Sequence, residues 1–137
     1  MGISSDIANK NILIVEDETT MRYIVKNLLH AKGFGNLIEA SDGGKALNIM
    51  QQQKIDLVIC DWKMPNMSGP ELFIKLKQDE NLKLIPFILL TCNDDRESVK
   101  QAIQAGIKNY FIKPVNPTKL LEKAVELLEQ QNKDGGR

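Results

Sequence analysis

Ile55-Asp56-Leu57-Val58-Ile59-Cys60-Asp61-Trp62-Lys63-Met64-Pro65 is the stretch whose reading decides the fold. The aliphatic run Leu57 to Cys60 has the length and composition of a buried strand, and it stops at a carboxylate followed by a loop with proline. An ionised group near a core costs several kcal/mol unless it is paired. Strands that end in chemistry recur on both sides of this one. Ile12-Leu13-Ile14-Val15 runs into Glu16-Asp17-Glu18, Pro86-Phe87-Ile88-Leu89-Leu90 into Thr91, and Phe111-Ile112 into Lys113-Pro114.

Between these blocks the spacing turns helical. Met21, Ile24, Val25, Leu28 and Leu29 recur at intervals of three and four residues, predicting one apolar face that stops at Gly33 and Gly35. Leu37 to Ala40 is a short second strand. Ser41 or Asp42 caps a helix burying Ala46, Leu47 and Met50. Gly69-Pro70 opens another helix with Leu72, Phe73 and Leu76 inward. Asp94 and Asp95 suit the N-terminus of the next, whose inner face is read as Val99, Ala102 and Ile103. Asn109 to Ile112 is the fifth strand, and Pro117-Thr118 begins a last helix burying Leu120, Leu121, Ala124, Val125 and Leu128. Five aliphatic strands alternating with five helices predict an α/β, doubly wound parallel sheet with helices on both faces, most simply in the order 2-1-3-4-5. The boundaries expected are a loose N-terminal arm over residues 1–9, one domain over 10–130 and a flexible tail over 131–137.

The 137 residues suffice for one core. Eighteen basic and eighteen acidic residues cancel, so no overall field favours nucleic acid or anionic membranes. With no long apolar run and no signal core, a cytoplasmic protein with no membrane partner is expected. Cys60 and Cys92 both close apolar runs and are read as buried, reduced thiols.

In a doubly wound sheet ligands bind beyond the carboxyl ends of the strands, where the strand order reverses. That places Glu16, Asp17 and Asp61 together between the first and third strands. At about 4 Å and an effective dielectric near 20, each close pair repels by about 4 kcal/mol, so the cluster must share protons or hold a hard cation. Oxygen-only ligands favour magnesium over zinc. Lys113 arrives from the fifth strand as the opposing charge, and Thr91 offers a hydroxyl from the fourth. A carboxylate nucleophile, a metal, a lysine and a hydroxyl fit phosphoryl transfer, which is mostly positioning and electrostatics.

Four motifs in order carry a resemblance: Val15-Glu16-Asp17; Asp61-Trp62-Lys63-Met64-Pro65 with Gly69 following; Leu90-Thr91; and Tyr110-Phe111-Ile112-Lys113-Pro114. With them the chain resembles a response-regulator receiver domain of the single-domain chemotaxis CheY type, a flavodoxin-like fold of bacterial two-component signalling. The resemblance implies that Asp61 accepts a phosphoryl group from a sensor histidine kinase. It implies that Glu16, Asp17, Asp61 and the backbone carbonyl of Lys63 hold Mg2+, and that Thr91 and Lys113 bind the phosphoryl group. Thr91 and Tyr110 would form the switch, Lys63 and Asn93 would tune the phosphoryl lifetime, and Lys113-Pro114 would be a cis peptide. On this reading the protein is no enzyme beyond its own phosphorylation and dephosphorylation. It is expected to be a monomer that engages a target protein or a histidine phosphotransfer protein through its fourth helix, fifth strand and fifth helix. The alternative is a non-phosphorylated receiver-like scaffold.

Overall fold

The computed structural model describes residues 3–92 and 96–133. Along the chain the elements are α1 (Ser5–Ala8), β1 (Asn11–Val15), α2 (Thr19–Lys32), β2 (Asn36–Ala40), α3 (Gly43–Gln52), β3 (Leu57–Asp61), α4 (Gly69–Lys77), β4 (Phe87–Thr91), α5 (Arg96–Ala105), β5 (Asn109–Ile112) and α6 (Pro117–Lys133). The strands form one parallel sheet in the order β2-β1-β3-β4-β5, as the aliphatic blocks predict.

Every residue of β3 and β4 is buried, and the period of two sorts their side chains onto two cores. Leu13, Val15, Val58, Cys60 and Leu89 meet Ala46, Met50, Leu72, Phe73, Leu76 and Ala102 from α3, α4 and α5. Ile12, Ile14, Leu57, Ile59, Ile88 and Leu90 face Val25 and Leu29 of α2 and Leu120, Ala124 and Leu128 of α6. Strands covered on both faces show no polar alternation, which is why they read as unbroken aliphatic blocks.

Local chemistry sets the helix ends. Gly33 closes α2 in the left-handed region at φ 119°, and the Asp42 side chain accepts the Lys45 N–H at the start of α3. At α4 the sequence reading rested on Pro70, but Ser68 and Glu71 also form a reciprocal capping box.

Four expectations are corrected. The arm before Lys10 contains α1, whose Ile7 is fully buried against the α2–α6 side, while the Asn36 amide donates to the Asn9 carbonyl. A helix this short has too few residues to show a period. Ile24 and Ile103 face solvent at 46% and 58% exposure, because each lies beside the stripe that the sheet covers. Past residue 130, α6 continues, with the Gln131 side chain buried and its amide donating to the Asp56 carbonyl at 3.3 Å. Cys92 is exposed, having left the sheet one residue after β4; Cys60 alone is a buried thiol among the described residues. The expectations on Asn93, Asp94 and Asp95, and those on residues 134–137, lie outside the described residues.

Candidate functional site

The strand register brings the strand-end side chains to one place. Val15 lies beside Cys60, Asp61 beside Leu90, and Thr91 beside Ile112. The backbone continues the ladder past the strand ends: Glu16 N–H donates to Ala40 O at 3.0 Å, Trp62 N–H to Leu90 O at 2.8 Å, and Lys113 N–H to Thr91 O at 2.8 Å. Three loops that carry chemistry are therefore anchored at their first residue.

Glu16, Asp17 and Asp61 each offer a carboxylate oxygen within 4.8 Å of the others. Glu16 and Asp61 are buried, while Asp17 is exposed at the mouth. Lys113 faces them with its ammonium 2.8 Å from Asp61 Oδ1 and 3.4 Å from Glu16 Oε1. Burial, and then the charge of Asp61, push the Glu16 carboxyl up from 4.5 to about 7, against the lowering effect of the Glu18 N–H and of Lys113. For Lys113, burial pulls the ammonium down, but its bond to Asp61 and the charges of Asp61 and Glu16 more than offset this. One ammonium thus serves two crowded acids and leaves the cluster short of positive charge. The donor set is all oxygen, with neither histidine nor thiolate in it, so it fits a hard cation such as magnesium.

The other expected site residues fall around this centre. Thr91 is buried at the end of β4. Tyr110 is half-buried on β5 against the α3–α5 core. Lys63 is exposed and makes no ion pair with Glu16; that acid's partner is Lys113. The Lys113-Pro114 peptide is cis. Burial, and then the neighbouring charges of Asp61 and Glu16, hold the Cys60 thiol well above its ordinary value, and its Sγ donates to Asp61 O at 3.2 Å.

Two contacts at the site carry no signal in the sequence. Gly69 packs so closely that a Cβ would come within 2.6 Å of Asp61 O and 2.7 Å of Leu89 Cδ1. Arg22 donates from Nη1 to Glu16 O at 2.6 Å. The glycine beside Pro70 reads simply as a helix start, and an arginine on a predicted helix gives no local signal that it reaches back to a strand end.

The family model of the response regulator receiver domain matches residues 12–125. The chain belongs to that family. Over 126 residues the receiver domain is 44% identical to chemotaxis protein CheY-3 of Vibrio cholerae serotype O1, covering 90% of this chain and 97% of the relative. It is 40% identical over 121 residues to chemotaxis protein CheY of Pseudomonas aeruginosa, covering 88% and 98%. Among solved structures, the signal receiver domain of a signal transduction histidine kinase from Syntrophus aciditrophicus superimposes with a TM-score of 0.83 at 31% identity, over 88% of this chain and 91% of that one. No helix among the described residues is long and apolar enough to cross a membrane.

Proposed function

We propose that this receiver domain is a phosphorylation-driven switch of two-component signalling, a response regulator in which Asp61 is the phosphoryl acceptor. The observation that carries the reading is Lys113, whose ammonium touches both Asp61 and Glu16 at the mouth of a three-carboxylate cluster. In the transfer, an Asp61 carboxylate oxygen attacks the phosphorus of a phosphohistidine on a sensor histidine kinase. The P–N bond breaks as the P–O bond forms, and the imidazole leaves with the bonding pair and takes up a proton from solvent. The product is an acyl phosphate on Asp61.

Each residue then has a distinct task. Glu16, Asp17, Asp61 and the backbone carbonyl of Lys63 would hold Mg2+, which supplies positive charge against the phosphoryl oxygens. Lys113 exchanges its contact with the carboxylates for one with the phosphoryl group, and the Thr91 hydroxyl binds another phosphoryl oxygen. Lys63 and Asn93 tune the lifetime of the phosphoryl group. Movement of Thr91 toward the new charge draws Tyr110 inward and alters the surface made by α5, β5 and α6, where Ile103 and Ile112 lie exposed. A target protein or a histidine phosphotransfer protein reads that surface. The relatives aligned over nearly their whole length are chemotaxis proteins, which favours chemotactic output.

Intact-mass spectrometry after incubation with acetyl phosphate, with and without magnesium, tests the proposal. One magnesium-dependent phosphoryl adduct is expected in the wild type and none in Asp61→Asn. If no adduct forms and beryllofluoride also fails to bind, the domain is a scaffold and the switch is abandoned.

A further inference from the structure

We infer that Arg22 is a positioning residue for the cation-binding acids, fixing the peptide that links Glu16 to Asp17. The inference rests on the reading of those acids as a magnesium site.

The β1–β2 ladder ends where Glu16 N–H donates to Ala40 O at 3.0 Å. The next group along the chain, the Glu16 carbonyl, has left the ladder, and Arg22 Nη1 donates to it at 2.6 Å. The same guanidinium is held from the other side, with Nε 3.0 Å from Glu39 Oε1, and Glu39 is itself braced by Lys26 Nζ at 3.0 Å on its second oxygen. A guanidinium fork suits such a two-point span in a way a lysine ammonium does not. An exposed Arg–Glu pair by itself contributes little, but the Arg22 side chain is only 18% exposed, and its bond to the backbone carbonyl is separate from its pairing with Glu39.

The peptide so clamped lies between two of the three acids. Glu16 has other restraints, since its carboxylate accepts the Glu18 N–H at 3.2 Å and meets Lys113. The Asp17 carboxylate makes no hydrogen bond or ion pair among the described residues, so its place relative to Glu16 and Asp61 is set by the backbone. Rotation of the Glu16–Asp17 peptide would swing Asp17 away from the cluster, and Arg22 opposes that rotation. Glu39, on β2, acts through Arg22 and connects the edge strand to the site.

The sign of the effect distinguishes positioning from simple charge. Removing a cation beside a cation site should tighten magnesium by electrostatics alone, whereas loss of positioning should weaken it. Magnesium titration of the full chain, followed by the fluorescence of its single tryptophan, Trp62, reads the affinity. Urea unfolding without magnesium reads stability separately. Arg22→Ala is expected to weaken magnesium about tenfold, the usual cost of losing a group that orients a metal ligand. Arg22→Lys and Glu39→Gln should each produce a smaller loss in the same direction. Unchanged or tighter binding in Arg22→Ala, with wild-type binding intact, overturns the role of Arg22 and leaves the magnesium site standing. If Arg22→Ala does not fold, Arg22→Lys decides on the same criterion. A wild type that binds no magnesium overturns the site and this role together.

Discussion

Lys113 illustrates how one side chain can hold a site together before any ligand arrives. Its ammonium lies 2.8 Å from Asp61 and 3.4 Å from Glu16, two buried acids that would otherwise face each other. Removing one partner of a largely buried pair costs more than the pair contributes, because the remaining charge is stranded. Lys113→Ala should therefore lower the stability of the magnesium-free protein by about 2 kcal/mol in urea unfolding, with most of the loss recovered on adding magnesium. A variant that unfolds like the wild type without magnesium would mean that the two acids do not depend on the lysine. Arg22 works at the same scale but on the backbone, and its polarity cannot be inferred from charge counting. The grouping of the Glu16, Asp17, Asp61, Thr91 and Lys113 side chains was legible in the sequence because each lies within two residues of the end of an aliphatic block. Arg22 was not, because its target lies across a turn that the helical period does not describe.

At the scale of elements, the junction between β3 and α4 is closely packed. Gly69 opens α4 against the Asp61 carbonyl and the Leu89 side chain, with room for no further carbon on that side. Gly69→Ala should destabilise the fold by about 2 kcal/mol through overpacking against backbone that cannot move aside. Gly35→Ala is the control, since nothing lies within 4 Å of its Cβ position, and a change within about 0.5 kcal/mol is expected. Equal midpoints for the two variants in chemical denaturation would show that α4 can shift away from β3. Helix starts were only partly legible. Pro70 was a sound signal, but the Ser68–Glu71 capping box sets the boundary as well. The inner faces were also read too broadly: an apolar stripe that takes in neighbouring residues of a helix is wider than the strip a sheet covers, and Ile24 and Ile103 were left outside it.

For the whole molecule, the all-parallel sheet sends every strand-end group to the same pole, and that is why sequence order alone predicted the grouping of the acids. The ends of the chain were less legible. Ile7 and Gln131 each lie in a mostly polar stretch, so neither announces that it is buried; the α2–α6 core covers Ile7, and Gln131 bonds the Asp56 carbonyl just before β3. Cys92 was misread for a related reason, since one position past a strand is enough to move it from core to solvent, whereas Cys60 is buried as read. That difference gives the molecule an internal chemical clock. Cys60 sits on the central strand with its sulfur hydrogen-bonded to the Asp61 carbonyl, whereas Cys92 is open to reagent. A thiol reagent should modify Cys92 in a fast phase and Cys60 only as often as the sheet opens, so the slow phase should accelerate with urea while the fast one barely changes. Two phases of equal rate would place Cys60 in a locally opening segment. A cation held by the acid cluster would lie next to that buried sulfur and should slow its phase, so that occupancy of the site could be followed by the passage of time at a neighbouring atom.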